Sequence, residues 1–165
     1  TGLVYIPVNE NHCGVIEGRE VTYMPGSSYT GARTEFTLRE PEGNIGEIQA
    51  WNMNTGEEVW SVEFQSHNWG GILTTGGNLI FSGGTSDRYF RAHDASSGEE
   101  LWRFRTNSGI IGVPSTFSVD GKQYVAVQSG WGVDAAGMTA RIDQQRGTRT
   151  FVPQGGVVWV FALSD

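Results

Sequence analysis

One segment occurs twice in this chain. Residues 47–60 read EIQAWNMNTGEEVW and residues 89–102 read YFRAHDASSGEELW. Ala50, Gly56, Glu57, Glu58 and Trp60 recur as Ala92, Gly98, Glu99, Glu100 and Trp102, each displaced by 42 positions. A period of that size limits the fold to architectures that stack one supersecondary unit on the next. A third, shorter copy closes the chain, where Ala162 of VVWVFALSD takes the place of Ala50 and Ala92.

The unit itself reads as β-structure. NTG and SSG sit between β-forming runs and mark hairpin turns into EEVWSVEF and EELWRFRT. The complete unit, from about Trp69 to Arg105, predicts four antiparallel strands: GGILTT, NLIFSG, RYFRAHD and ELWRFRT. Four short strands every ~40–45 residues describe a propeller blade. The 24 glycines and 6 tryptophans agree, since tight turns need the first and well-buried strands favour the second. No segment shows a sustained helical period, so the expectation is all-β. Residues 1–65 form a partial blade with a long loop, 66–107 a complete blade, and 108–165 a second partial blade with a long loop. All three belong to one propeller domain.

Two units carry insertions at the same place, between their second and third strands. The first runs from about Val8 to Asn44 and the other from about Ser129 to Gln154, where the complete blade has only GGTSD. Equivalent positions put both insertions on one face of the ring. Long loops on a rigid scaffold carry function disproportionately often, which makes that face the candidate site.

Charge and cysteine count remove other classes. Eleven Lys and Arg against eighteen Asp and Glu give a net charge of −7, which argues against nucleic acid and anionic membrane surfaces. No apolar run approaches the ~20 residues of a membrane span, and TGLVYIPVNE lacks the pattern of a signal peptide. With Cys13 as the single cysteine there is no internal disulfide and no CxxCH haem-attachment motif. No GxSxG, Walker loop or Rossmann fingerprint occurs. The chain lacks an initiator Met and opens inside a strand-like run. Three blades do not close a ring, so residues 1–165 are expected to be one piece of a larger protein, neither stable nor catalytic alone.

The unit A-x-D-x-x-x-G-x-x-x-W, complete in Ala92, Asp94, Gly98 and Trp102, resembles the tryptophan-docking repeat of the pyrroloquinoline quinone (PQQ) alcohol dehydrogenases. Its first copy has Asn52 where Asp is usual. YIP at 5–7, NENHCG at 9–14, VTYMPGSSYTG at 21–31, NWGGILTTGGNLIFSGG, SGIIGVPSTFSVDGKQYVAV and PQGGVVWVFAL are similar to successive stretches of the C-terminal part of those enzymes. The resemblance implies an eight-bladed propeller with PQQ near its axis and a bound Ca²⁺ or lanthanide. It also implies alcohol oxidation in the periplasm, with electrons passed to a cytochrome c. The metal ligands and the catalytic Asp would lie in other blades, outside this chain.

Residue by residue, the resemblance offers Asn11 as a contact to the quinone edge, or Asn9 if the register is counted forward from the strand. His12 stands where some relatives have an aromatic. Trp131 in SGWGVDAAG is a further candidate, and Gly155, Gly156 and Val157 resemble a stretch that approaches the cofactor. Trp69, Gly70 and Gly71 are weaker candidates. The plain alternatives are solvated loop polars for Asn9 and Asn11 and an inter-blade packing role for Trp131. Asp134 and Asp143 read as solvated loop charges, Cys13 as an inert thiol, and His67 as a loop or edge residue. A second functional reading is a cofactor-free propeller scaffold of the outer-membrane assembly type. The substrate alcohol is left open, since TARIDQQRGTRT reads only as polar and flexible.

Overall fold

The computed structural model describes residues 1–27 and 31–163. Residues 28–30 of VTYMPGSSYTG and the final Ser164 and Asp165 lie outside the described residues. In chain order the elements are β1 (Leu3–Asn9), β2 (His12–Gly18), β3 (Ala32–Leu38), β4 (Gly46–Asn52), β5 (Glu57–Phe64), β6 (Ile72–Thr74), β7 (Leu79–Ser82), β8 (Tyr89–Asp94), β9 (Glu100–Arg105), β10 (Ser115–Val119), β11 (Lys122–Ser129), α1 (Val133–Arg146) and β12 (Val157–Ala162).

The repeated segment builds the same hairpin twice. Asn52 Oδ1 accepts the Asn54 and Thr55 amides at 2.9 and 3.3 Å, and Asp94 Oδ1 accepts those of Ser96 and Ser97 at 2.8 and 3.0 Å. An Asx side chain therefore closes each turn, and Asn52 replaces Asp without loss of that function. Gly56 and Gly98 follow at φ 71° and 77°, a left-handed conformation that a Cβ disfavours. Both hairpins carry a register irregularity at the equivalent place, Ala50/Trp51 and Ala92/His93.

Three antiparallel sheets result: β1-β4-β5, β6-β7-β8-β9 and β10-β11-β12. The first and third hold three strands each and the second holds four. The hairpin β2-β3 forms a separate two-stranded sheet within the first insertion.

The seam between the first two blades is made by the repeat. Trp60 Nε1 donates to the Ala95 carbonyl at 3.2 Å, and a Cβ at Gly98 would stand 2.7 Å from the Trp60 ring. Tyr5 Oη donates to the same carbonyl at 2.9 Å. Beneath them Ile48, Ile80 and Ala95 are buried against Phe64 and Ile72. Phe90, Ile110, Val125 and Val127 form the core of the next seam, with Phe81, Trp159 and Phe161 packed on it. Trp102 is the equivalent of Trp60 in the second copy of the repeat. It packs on Phe90, Phe104 and Phe161 but stays 39% exposed. The turn onto which it would dock, one repeat further on, is not among the described residues.

The second insertion departs from the all-loop expectation. Residues 133–146 form a helix that starts at Gly132 and ends at Gly147, which has φ 67°. Its buried stripe, Ala135 and Ile142 with Met138 between them, has helical spacing but little apolar bulk. Such a stripe is hard to tell from loop sequence.

In an antiparallel blade the connection from second to third strand and the exit to the next blade leave from the same sheet end. Segments 10–45, 65–71, 83–88, 106–114 and 130–156 therefore share one face. The repeat turns lie on the other.

Trp60→Ala in the full-length protein should lower stability by about 3 kcal/mol, the lower range for losing a packed Trp. Gly98→Ala should also destabilise, by more than about 1 kcal/mol, because it adds a Cβ at positive φ against the indole. Thermal or urea unfolding of both variants checks this, and wild-type stability in either would sink the docking assignment.

Candidate functional site

The two insertions meet on the shared face. Leu38 and Ile45 of the first are buried with Ile142 of α1, and Phe36 and Met138 pack against them. Gln145 holds the hairpin by its backbone: Oε1 accepts the Leu38 amide at 2.7 Å and Nε2 donates to the Phe36 carbonyl at 3.1 Å. Arg146 donates to the carbonyls of Pro41, Gln65 and Gly43 at 2.5, 2.6 and 2.5 Å. Third-blade and first-blade insertions thus form one cap across the complete blade. Asp143, read from sequence as a solvated loop charge, accepts Thr148 Oγ1 and the Thr150 amide, both at 2.6 Å, and Thr150 Oγ1 at 2.9 Å. Partial burial raises its pKa, but those hydrogen bonds and Arg146 more than offset this and hold it below the ordinary value. Asp134 lies in the first turn of α1.

Both candidate asparagines have their amides engaged with main chain. Asn9 Nδ2 donates to the Asn68 carbonyl at 3.1 Å, and its Oδ1 accepts the Asn68 amide at 2.7 Å. Asn11, at φ 55°, makes the matching pair with Glu40 at 2.8 and 2.9 Å. The first fixes the loop that enters the complete blade and the second fixes the tail of the hairpin. His12 donates from Nδ1 to the Glu10 carbonyl at 2.8 Å, and its ring lies 5.3 Å from both Phe36 and His67.

His67 is the residue whose setting the sequence did not reveal. It is 5% exposed, flanked by His12, Phe36 and Trp69, and its Nδ1 has no hydrogen-bond partner. Burial pushes its pKa down to about 4, helped by the neighbouring charges of His12 and Arg146. Asn68 Oδ1 beside it is likewise buried and unpartnered, while its Nδ2 donates to the Glu47 carbonyl at 3.1 Å.

Trp131 and Val157 stand in the third blade. Trp131 is 4% exposed and lies on Gly109, where a Cβ would overlap the indole, and its Nε1 has no partner. The ring lines a cavity of about 460 Å³ together with Ile111, Gly112, Gln128, Gly130, Gly132, Gly155 and Gly156. Five of these eight lining residues are glycines, so much of the wall is bare backbone against which a flat group can lie. Val157 follows Gly156 directly, and its carbonyl accepts Ser129 Oγ at 3.2 Å. Ser129 and Trp159 Nε1 both donate to Asn107 Oδ1, at 2.7 and 3.3 Å, and stiffen the base of this wall. The structure therefore brings Trp131, Gly155 and Gly156 together, while Val157 is not among the residues that line the cavity. Among the described residues, no hydrogen bond or ring contact joins them to Asn9, Asn11 or His12. No group of three or more His, Cys, Asp or Glu able to hold a metal ion is found among the described residues. No helix among them is long and apolar enough to cross a membrane.

Comparison with known proteins completes the picture. Residues 61–125 match the family model described as glucose/ethanol/alcohol dehydrogenase, beta-propeller domain. The chain is 39% identical to a quinoprotein ethanol dehydrogenase of Pseudomonas putida, with 99% of this chain and 25% of that protein covered. It is 37% identical to a lanthanide-dependent methanol dehydrogenase of Methylorubrum extorquens, over 100% of this chain and 29% of that protein. Among solved structures, a europium-containing methanol dehydrogenase superposes with a TM-score of 0.79 at 34% identity, covering 98% of this chain and 31% of that one. The chain belongs to the quinoprotein alcohol dehydrogenase family. It corresponds to a C-terminal stretch of the family's propeller and spans about a quarter of the length of the relatives it matches. In this quinoprotein segment the glycine-walled groove, with a buried and unpartnered indole N–H beside it, fits a flat, oxygen-rich cofactor such as PQQ.

The buried His67 sets a pH dependence. Its folded-state pKa of about 4 lies below the ordinary value of 6.5, so the unfolded chain binds more protons between those values. Its penalty is absent above about pH 6.5 and grows as pH falls toward 4. Unfolding midpoints of the intact protein should therefore decline across that window, and His67→Gln should flatten the decline. An unchanged slope in the variant would count against the neutral, buried His67.

Proposed function

We propose that the chain is part of a periplasmic PQQ-dependent dehydrogenase that oxidises an alcohol to an aldehyde or ketone. Its metal, Ca²⁺ or a lanthanide, is held by residues outside this chain, and its electrons pass to a cytochrome c. The observation that carries the reading is the groove beside Trp131, set in a chain whose similarity to quinoprotein dehydrogenases runs over nearly its full length. The remainder of the propeller is the first partner required, since the first and third sheets each have only three strands.

PQQ, if bound in the groove lined by Trp131, Gly155 and Gly156, would supply the two-electron oxidising chemistry. The residues of this chain bind and orient. Trp131 lines the groove, and its buried, unpartnered Nε1 would be the donor for a cofactor oxygen brought beside it. Gly155 and Gly156 allow close backbone approach, and Val157 flanks them. Asn9, Asn11 and His12 form the first-blade wall of the same face. The two amides act through the loops they fix, and His12 closes the aromatic cluster above His67. No specific observation favours a cofactor-free scaffold, which has no use for a glycine-walled groove with an unpartnered buried donor.

Reconstitution of the intact protein with PQQ and Ca²⁺ or a lanthanide tests this reading. Absorption bands of a bound quinone and dye-coupled alcohol oxidation are the expected result, and the absence of both would overturn it. Trp131→Phe keeps the ring and removes the donor. It should weaken PQQ retention by about tenfold or more, the cost of one hydrogen bond to a charged acceptor. Equal retention by wild type and variant would remove Trp131 from the cofactor site.

A further inference from the structure

Helix α1 grips the first-blade insertion through its last turn, and Arg146 does so in an unusual way. Its guanidinium faces main chain: among the described ion pairs none includes it, and its three donor nitrogens go to three backbone carbonyls. Two of those carbonyls, Pro41 and Gly43, belong to the tail of the hairpin insertion. The third, Gln65, opens the loop that carries His67, Asn68 and Trp69 into the complete blade. A planar guanidinium serving three fixed carbonyls sets their relative positions in a way a flexible ammonium does not.

The same loop is held at further points. Asn9 binds the Asn68 backbone from the first blade. A Cβ at Gly70 would stand 2.6 Å from the Gly83 carbonyl, so the loop lies hard against the second blade. At its far end Gly71 lies against Val113 of the third blade, where a Cβ would stand 2.7 Å from the valine side chain. Arg146 adds a hydrogen-bonded tie from the third-blade insertion at the loop's start, ahead of the two buried, unpartnered polar atoms of His67 and Asn68.

We propose that Arg146 is a positioning residue for the alcohol-oxidising site. It locks the third-blade insertion to the first, and it holds loop 65–71 and hairpin tail 39–45 as one wall of the substrate entrance. This inference rests on the quinoprotein reading above.

The test uses the intact, reconstituted protein with three variants. Arg146→Met keeps the aliphatic stem and removes the donors. Arg146→Lys keeps the charge and loses the fork. Arg141→Met removes a positive charge from an exposed position on the same helix and serves as the control. Backbone deuterium exchange at 39–45 and 65–71 is expected to rise tenfold or more in Arg146→Met, less in Arg146→Lys, and not at all in Arg141→Met. For a series from ethanol to bulky alcohols, KM should rise at least fivefold in Arg146→Met with kcat within a factor of two, most for the bulkiest substrate. Should Arg146→Met not fold, Arg146→Lys decides, since wild-type exchange and KM in that variant would overturn the proposal. Unchanged exchange at 65–71 in Arg146→Met overturns it as well, and so does a loss confined to kcat. An intact protein that oxidises no alcohol refutes the reading of the site, and with it any place for Arg146 in catalysis. The exchange measurement then still decides whether Arg146 fixes the two loops.

Discussion

The placing of the first-blade insertion against the complete blade depends on one contact at the seam between blades. The Trp60 indole lies on Gly98 and donates to the Ala95 carbonyl, so a residue near the end of one repeat is completed by the turn of the next. That turn is itself held by Asp94, whose carboxylate accepts the Ser96 and Ser97 amides. Those hydrogen bonds stabilise the charged form and hold the Asp94 pKa below its usual value. The order of the contact is fixed: the Asx cap shapes the turn, the turn presents a glycine, and the glycine admits an indole. No blade is finished by its own residues. Trp102, the same residue one repeat later, packs on Phe90, Phe104 and Phe161.

A rigid seam makes the loops of neighbouring blades additive. Each sheet delivers its second-to-third connection and its exit loop to the same face. Groups far apart in sequence therefore meet there without any element reaching across the core. Gln145 and Arg146 lie about a hundred positions from the backbone groups they hold at 36–43, yet need only one helix to get there. The complete blade contributes little to that cap beyond Ser86, which helps line a smaller cavity with Gln65, Ser66 and Arg146. Its short connection is what lets the flanking insertions close over it.

The blades were legible in the sequence because their chemistry is local and repeated. An Asx residue, a glycine and a tryptophan at fixed offsets specify turn and docking together, and the second copy confirms the first. The insertions gave no such redundancy. The apolar stripe of α1 is Ala135, Met138 and Ile142, too slight to be recognised until Phe36, Leu38 and Ile45 from the other insertion are seen against it. Asn9 and Asn11 were legible as important polar residues. Their side chains bind backbone at 68 and 40, which no local pattern encodes. The burial of His67 depends on His12, Phe36 and Trp69 converging from three segments, and an isolated histidine in SHNWGG carries no sign of it.

The unmet polar atoms are concentrated on the face proposed above as functional. Buried polar groups in folded chains nearly all find partners, and an exception calls for a reason. Four buried side-chain atoms lack one among the described residues: His67 Nδ1, Asn68 Oδ1, Trp131 Nε1 and His93 Nε2. His93 sits within a strand of the complete blade and already uses Nδ1 on the Gly98 carbonyl at 3.0 Å. The other three lie on segments 65–71 and 130–156, which share the face of the two insertions. Elsewhere this chain satisfies demanding groups thoroughly. Buried Arg91 is met by Asp87, Glu100, Thr85 and the Tyr89 carbonyl. Incomplete satisfaction is thus concentrated at one face rather than spread by loose packing. On the function proposed above, the buried, unpaired indole N–H beside the glycine-walled groove would be met by a group the chain does not itself provide.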